Sequence, residues 1–190
     1  GIRTHVLPMC DEPVPTLIRT KEGTWLGFQD YFVREKCQPE IAEIVLLGNE
    51  QVVPSEPVVK SLEEADLVVL APSNPWVSIG PILELGGVRE ILMRKTVVAV
   101  SPIIQGNALK GPAAKMFREL GIDPSAQSVL RQYEGILDGF IFDRLDADDA
   151  EKWEVSDIIT ESHQTIMNSD MDKSNLAKAV ISLGERVHRG

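Results

Sequence analysis

Ser73, Asn74 and Ser78 fall within Ala71-Pro72-Ser73-Asn74-Pro75-Trp76-Val77-Ser78-Ile79-Gly80-Pro81, directly after the apolar run Leu67-Val68-Val69-Leu70. Hydroxyl and carboxamide groups at such a place can hydrogen-bond phosphate oxygens or a base edge, and backbone N–H groups at a helix start favour negative charge. Ser101, Gly106, Asn107, Lys110 and Gly111 follow the apolar run Thr96-Val97-Val98-Ala99-Val100 in the same manner. Glycines let the backbone approach a phosphate closely, and Lys110 supplies positive charge. Two such segments point to an anionic ligand held in one crevice. Each also has an ordinary reading: Ser73 and Asn74 as turn residues, Ser78 as an N-cap, Lys110 as an exposed lysine at a helix start. The interval from Gly106 to Lys110-Gly111 is not that of a P-loop, and the chain holds no Gly-x-Ser-x-Gly elbow, zinc motif or dinucleotide fingerprint. Covalent catalysis therefore has no candidate nucleophile.

Other chemistry-bearing residues are more scattered. Asp11 ends the run Val6-Leu7-Pro8-Met9-Cys10 and could hold a metal or a ligand hydroxyl, or cap a turn before Pro13. Its neighbour Glu12 would point the other way on an extended segment, so the two do not form an acid and base pair. His5, His163 and His188 lie far apart and have no nucleophile or metal partner in sequence. The acidic stretch 144–153 lacks the ligand spacing of a calcium loop and reads as a solvated connector.

The elements that would position these residues alternate between two periods. A strand is expected over 5–10, a hairpin over 16–33 around Lys21-Glu22-Gly23, and another strand over 40–47. Val58, Val59, Leu62 and Ala65 recur at helical spacing over 57–65. Then follow a strand over 66–71, a helix within 79–94, a strand over 96–101, helices over 112–120 and 125–132, and a strand over 139–143. Leu176, Ala177, Val180, Ile181 and Leu183 give a last helix over 174–187, capped by Asp172 or Ser174. This rhythm predicts an α/β fold: a Rossmann-like, mostly parallel sheet with helices on both faces in three layers, plus a β-hairpin. Residues 1–190 read as a single domain, with a hairpin and strand region at 10–48, parallel βαβ units at 57–143 and a terminal helix at 174–188. In such sheets, ligands bind beyond the carboxyl ends of the strands.

Composition narrows the function classes. A formal net charge of −10 over 190 residues argues against a general nucleic-acid or anionic-membrane surface, which needs clustered Lys and Arg. Two cysteines are too few for a disulfide framework, and no segment has the length of a membrane span or the form of a signal peptide. A cytoplasmic location is expected. The chain opens at Gly1 close to an expected strand, which reads as a cut with a segment missing upstream.

Five ordered blocks carry a resemblance: Leu7-Pro8-Met9-Cys10-Asp11, Gly27-Phe28-Gln29-Asp30-Tyr31-Phe32-Val33, Ala71-Pro72-Ser73-Asn74-Pro75 with Ser78-Ile79, Val98-Ala99-Val100-Ser101-Pro102-Ile103, and Lys110-Gly111-Pro112-Ala113-Ala114-Lys115-Met116. Together they resemble the 2-phospho-L-lactate transferase family of coenzyme F-420 biosynthesis. Tyr133, Phe142-Asp143, Thr165, Met167 and Leu176-Ala177 resemble its C-terminal pattern.

The resemblance implies transfer of a 2-phospholactyl or phosphoenolpyruvyl group from a guanosine-diphosphate-linked donor to 7,8-didemethyl-8-hydroxy-5-deazariboflavin, with GMP released and magnesium as the metal. It assigns Ser73, Asn74 and Ser78 to donor nucleotide or phosphate contacts, with Ser101, Gly106, Lys110 and Gly111 as the neighbouring wall of the substrate site. Asp11 is a weaker candidate for metal or acceptor. Phe28, Tyr31 and Phe32 could flank the flat deazaflavin ring, or serve core packing or a homodimer interface. The family's Gly-Gly-Thr-Gly segment and the acidic residues after it are missing here. The chain thus resembles the last three-fifths of such a protein, with the catalytic acidic residues expected upstream, and the piece alone is expected to be inactive. A sheet without its first strands is also expected to expose an apolar edge. The alternative is a non-catalytic, nucleotide-sugar-binding regulator of the same superfamily, similar in the Pro-Ser-Asn-Pro region.

Overall fold

The computed structural model describes residues 4–48, 51–153 and 157–188. β1 (Thr16–Thr20), β2 (Trp25–Gly27) and β3 (Ile41–Leu46) form an antiparallel sheet in the order β2-β1-β3. The expected hairpin is present, but pairing stops at Gly27, and the chain winds into a wide helical turn over Asp30–Arg34. The strand expected over 5–10 does not form. Val6 is 91% exposed, no ladder pairs this segment, and Pro8 lacks a donor. It is moored instead by Ser55, whose N–H donates to Met9 O at 3.2 Å and whose hydroxyl donates to Pro8 O at 3.3 Å.

After α1 (Glu56–Glu64) come β4 (Leu67–Leu70), β5 (Thr96–Val100), the short hairpin β6 (Ile103–Ile104) and β7 (Asn107–Ala108), then β8 (Gly139–Asp143) and β9 (Ile159–His163). β4, β5, β8 and β9 lie in that order in one parallel sheet. Every residue of β5 and β8 is buried, which is why they read as continuous apolar runs. Strand alternation sorts the core into two layers. Val97, Ala99, Phe140 and Phe142 face one cluster with α3 (Val88–Leu92), α4 (Ala113–Glu119) and α5 (Ala126–Gln132). Val98, Val100 and Ile141 face Leu176, Val180 and Leu183 of α7 (Asp170–Val187). A Cβ on Gly139 would lie 2.9 Å from Leu183 Cδ2, so this position must stay bare for α7 to seat. The three-layer α/β architecture is as expected.

Further expectations needed correction. The helix within 79–94 is split into α2 (Gly80–Leu83) and α3, because Gly87 adopts a φ of 85° that an L side chain resists. The last helix starts at Asp170, four residues before 174. Its cap is Ser169, in a capping box with Asp172, rather than Asp172 or Ser174. β9 had no counterpart in the sequence reading. The stretch 144–153 is not merely a solvated loop: it forms a 3-10 turn at Arg144–Asp146 and α6 (Ala147–Ala150), and Asp146 is buried. On the outer side of β4 no described strand pairs, and Val69 is 45% exposed there.

The antiparallel sheet docks on α4 through Ile18, Tyr31, Ile41 and Met116. Trp76 belongs to both this cluster and the main core, with its ring 4.2 Å from Phe117 in an edge-on contact.

Candidate functional site

β4 and β5 are adjacent and parallel, so the segments leaving their carboxyl ends must emerge side by side. Between them and the antiparallel unit lies a cleft of about 560 Å³. Ser73, Asn74, Ser78, Ser101, Lys110 and Gly111 all line it. So do Phe28 and Phe32, on the opposite wall. Gly106 does not: its carbonyl accepts from Arg118 Nη2 at 2.6 Å, outside the cleft lining. Asp11 also lies apart, exposed on the irregular segment.

The polar groups divide into those already engaged and those left for a ligand. Asn74 Oδ1 accepts from the N–H groups of Trp76 at 2.9 Å and Val77 at 3.4 Å, and its Nδ2 lies 3.1 Å from Met116 Sδ. It caps the π-type turn Pro75–Ile79, so Asn74 rather than Ser78 is the N-cap. Within that turn the N–H groups of Ser78 and Ile79 both donate to Asn74 O at 3.1 Å, and the Gly80 N–H donates to Pro75 O. The amide cradle expected at Ser78-Ile79-Gly80 is therefore already occupied. Ser101, 2% exposed, donates to Ile103 O at 3.0 Å and accepts from Ile103 N at 3.1 Å. Its hydroxyl closes a turn.

Among the described residues, the Ser73 and Ser78 hydroxyls have no protein partner and Lys110 forms no ion pair. Lys110 and Gly111, the latter at a φ of 73°, lead into α4, whose N-cap Pro112 offers no side-chain hydrogen bond to the first-turn amides. These groups line one cleft and are of the kinds that bind phosphate oxygens.

The far wall is apolar. Phe28 and Phe32 stack with centroids 5.6 Å apart and planes 18° from parallel. Tyr31, the third of the aromatic trio, points the other way and is fully buried against α4; burial pushes its hydroxyl pKa up. The trio thus splits into two wall residues and one core residue.

Two further lining residues, Thr165 and Met167, were legible in the sequence only as part of the C-terminal family pattern and not as site residues. They follow β9. Thr165 is held by Asp143, a carboxylate 1% exposed, whose Oδ2 accepts from Thr165 N at 2.9 Å and from its hydroxyl at 2.8 Å. Asp143 Oδ1 accepts from Leu145 N at 3.0 Å. A signal existed: an acidic residue ending a run as apolar as Phe140-Ile141-Phe142 must find donors.

Asp146, 8% exposed, accepts from Gln105 N at 2.9 Å through Oδ1, while its Oδ2 is buried without a partner. Burial and the nearby Asp143 and Asp149 raise its pKa, against the opposing Gln105 N–H. Among the described residues no group of three or more His, Cys, Asp or Glu side chains could hold a metal ion, and Asp11 belongs to none. No described helix is long and apolar enough to cross a membrane.

Comparisons with known proteins bear on the fold and the family. A protein from Bacillus halodurans, described as a member of the UPF0052 family, has the same fold in two solved structures. The TM-scores are 0.61 and 0.59 at 16% and 17% identity, over 95% of this chain and 62% of that one. The 2-phospho-L-lactate transferase of Methanosarcina mazei is 37% identical over 95% of this chain and 59% of its own length. For those of Methanosarcina acetivorans and Methanocaldococcus jannaschii the values are 36% over 98% and 61%, and 37% over 95% and 58%. The chain thus spans about three-fifths of the length of these curated relatives. Residues 1–183 match the family described as 2-phospho-L-lactate transferase CofD, and the chain belongs to that family.

Proposed function

We propose that this chain supplies the donor side, and part of the acceptor side, of a cytoplasmic transferase in coenzyme F-420 biosynthesis. The donor is a guanosine-diphosphate-linked 2-phospholactate or phosphoenolpyruvate, and the acceptor is 7,8-didemethyl-8-hydroxy-5-deazariboflavin. One observation carries this reading: in a chain of this family, the unengaged Ser73, Ser78 and Lys110 face the stacked Phe28 and Phe32 across one cleft.

An oxygen of the acceptor's ribityl chain forms a bond to the phosphorus that bears the lactyl or enolpyruvyl group. The bond from that phosphorus to the bridging oxygen breaks, GMP leaves with the electron pair, and the hydroxyl proton passes to solvent. Such a displacement depends on placing two reactants in line and neutralising phosphate charge, with no protein nucleophile. Lys110 and the two serine hydroxyls suit the second task, and the aromatic wall suits a planar acceptor. Asn74 and Ser101 act one step back, by shaping the turns that carry the binding groups. The magnesium that the resemblance implies does not fit the described residues, among which no group of three or more His, Cys, Asp or Glu side chains could hold a metal ion.

The test uses the full-length gene product, the deazaflavin acceptor, magnesium and each guanosine-linked donor, with mass-spectrometric detection of the phosphodiester. Product from either donor supports the reading and identifies the acyl group. Folded protein that makes neither product overturns it. Thermal stabilisation by a uridine nucleotide sugar, and not by GDP, would point instead to a nucleotide-sugar-binding regulator.

A further inference from the structure

Phe32 sits on the turn Asp30–Arg34, and its neighbour Tyr31 points to the opposite side, into the core. Whatever holds Tyr31 therefore aims Phe32 and the Phe28 ring stacked on it. Beside the Cys37 side chain and the apolar packing of Ile18, Ile41 and Met116, the cation that holds Tyr31 is Lys115, in the second half of the first α4 turn. Its ammonium lies 3.2 Å from Tyr31 Oη, 2.9 Å from Pro39 O and 2.7 Å from Glu119 Oε2. Three donors thus meet three acceptors. Glu119 also accepts from Ile41 N at 3.0 Å, and its side chain is only 14% exposed. Through one i,i+4 pair, α4 grips the helical turn, the loop before β3 and β3 itself. The start of the same helix, at Pro112 and Ala113, forms part of the cleft lining.

We propose that Lys115 is a positioning residue for the aromatic wall, acting through Tyr31, and that it thereby sets the affinity for the planar part of the acceptor. This rests on the deazaflavin-using function proposed for the cleft. Lys115 is absent from the cleft lining and borders instead an adjoining hollow that shares Phe32, Gly111 and Pro112 with it. Lys115 fixes the distance from the Phe28 and Phe32 rings to Lys110 and Gly111. Lys115→Met keeps the length of the side chain but leaves the Tyr31 hydroxyl, the Pro39 carbonyl and the Glu119 carboxylate without the cation. Lys115→Arg restores a cation with donors to spare.

Two measurements on the full-length gene product decide the matter. The first is amide exchange at Glu35 and Cys37, whose N–H groups donate to Asp30 O and Tyr31 O at 2.9 Å. Lys115→Met accelerates exchange there and leaves β5 and β8 protected, while Lys115→Arg restores slow exchange. The second is steady-state kinetics. Lys115→Met raises the acceptor KM about tenfold, while kcat and the donor KM stay within about twofold, as expected for loss of one charge-assisted anchor. In a Phe32→Ala background the same substitution adds less than about twofold, because the wall it aims is gone.

Unchanged exchange at Glu35 and Cys37 overturns the proposal. So does a uniform loss of protection accompanied by a parallel fall in kcat and rise in both KM values, which marks Lys115 as general scaffolding. If the exchange pattern is as expected but the wild-type protein neither binds nor uses the deazaflavin, the functional reading fails and the clamp stands.

Discussion

The two walls of the cleft are built by opposite means. Ser73, Ser78 and Lys110 follow strands of a parallel sheet whose central members are buried along their whole length. Phe28 and Phe32 hang from a three-stranded antiparallel unit that docks on α4 through one small cluster and the Lys115–Glu119 pair. The first wall is anchored by a continuous apolar core and the second by a few local contacts. Under the proposed function, phosphate recognition, which depends on placing charge to within fractions of an ångström, would fall to the stiff wall, and recognition of a flat ring to the locally anchored one.

If this contrast holds, core substitutions should separate the walls. Phe140→Ala empties a fully buried site in β8 and should cost about 3–5 kcal/mol in urea unfolding. Phe28→Ala, at a partly buried position, should cost less than about 1.5 kcal/mol. Equal costs would erase the distinction. Next in size is the segment after β9. Asp143→Asn disturbs the acceptor of three buried or part-buried N–H and O–H groups and should cost about 2–3 kcal/mol. A larger rise in amide exchange at Thr165 than at Ile141 would show that the loss falls on this segment. Within the stiff wall, Asn74→Ala should cost about 1 kcal/mol through the lost cap, seen as a lower denaturant midpoint. Ser73→Ala should change stability by less than about 0.5 kcal/mol, yet weaken the thermal shift produced by GDP. A Ser73 variant with an undiminished shift would remove this hydroxyl from the donor site.

The smallest effect concerns pH. The folded protein holds the Asp146 proton more tightly than the unfolded chain does, since burial raises its pKa above 3.8. Its contribution to stability is therefore full below that value and is lost as pH rises through the folded pKa. Taking Asp146→Asn minus wild type cancels the other carboxylates, and this difference in Tm should move in the variant's favour as pH rises above 3.8 and through the raised folded pKa. A flat difference would mean that Asp146 is not held in its protonated form.

Much of the stiff wall was legible because the strands that carry it are long apolar runs. Strand alternation is a local property, and Leu67–Leu70 and Thr96–Val100 stand where they were expected. β9 was missed because Ile159-Thr160-Glu161-Ser162-His163 is an edge strand with polar residues, and its pairing partner β8 is supplied by tertiary structure. The site was legible as a set of residues and illegible as a set of free groups. Whether Asn74 binds a ligand or caps a turn depends on where its carboxamide lands relative to Trp76 and Val77. The sequence neighbours Tyr31 and Phe32 have opposite fates for a similar reason. A wide helical turn, where a strand was expected, decides which ring faces the core.

The seating of α7 against Gly139 has a consequence for how the chain is made. α7 is synthesised after all four parallel strands, yet it alone supplies the helical partners of Val98, Val100 and Ile141 in their cluster. On the ribosome, Val98 and Val100 wait for these partners while residues 101–183 are being added, on the order of ten seconds at about 5–20 residues per second, and Ile141 waits for a part of that time. Apolar surface exposed for such an interval is of the kind that chaperones bind. Codon choices that slow elongation between β5 and α7 would lengthen the wait.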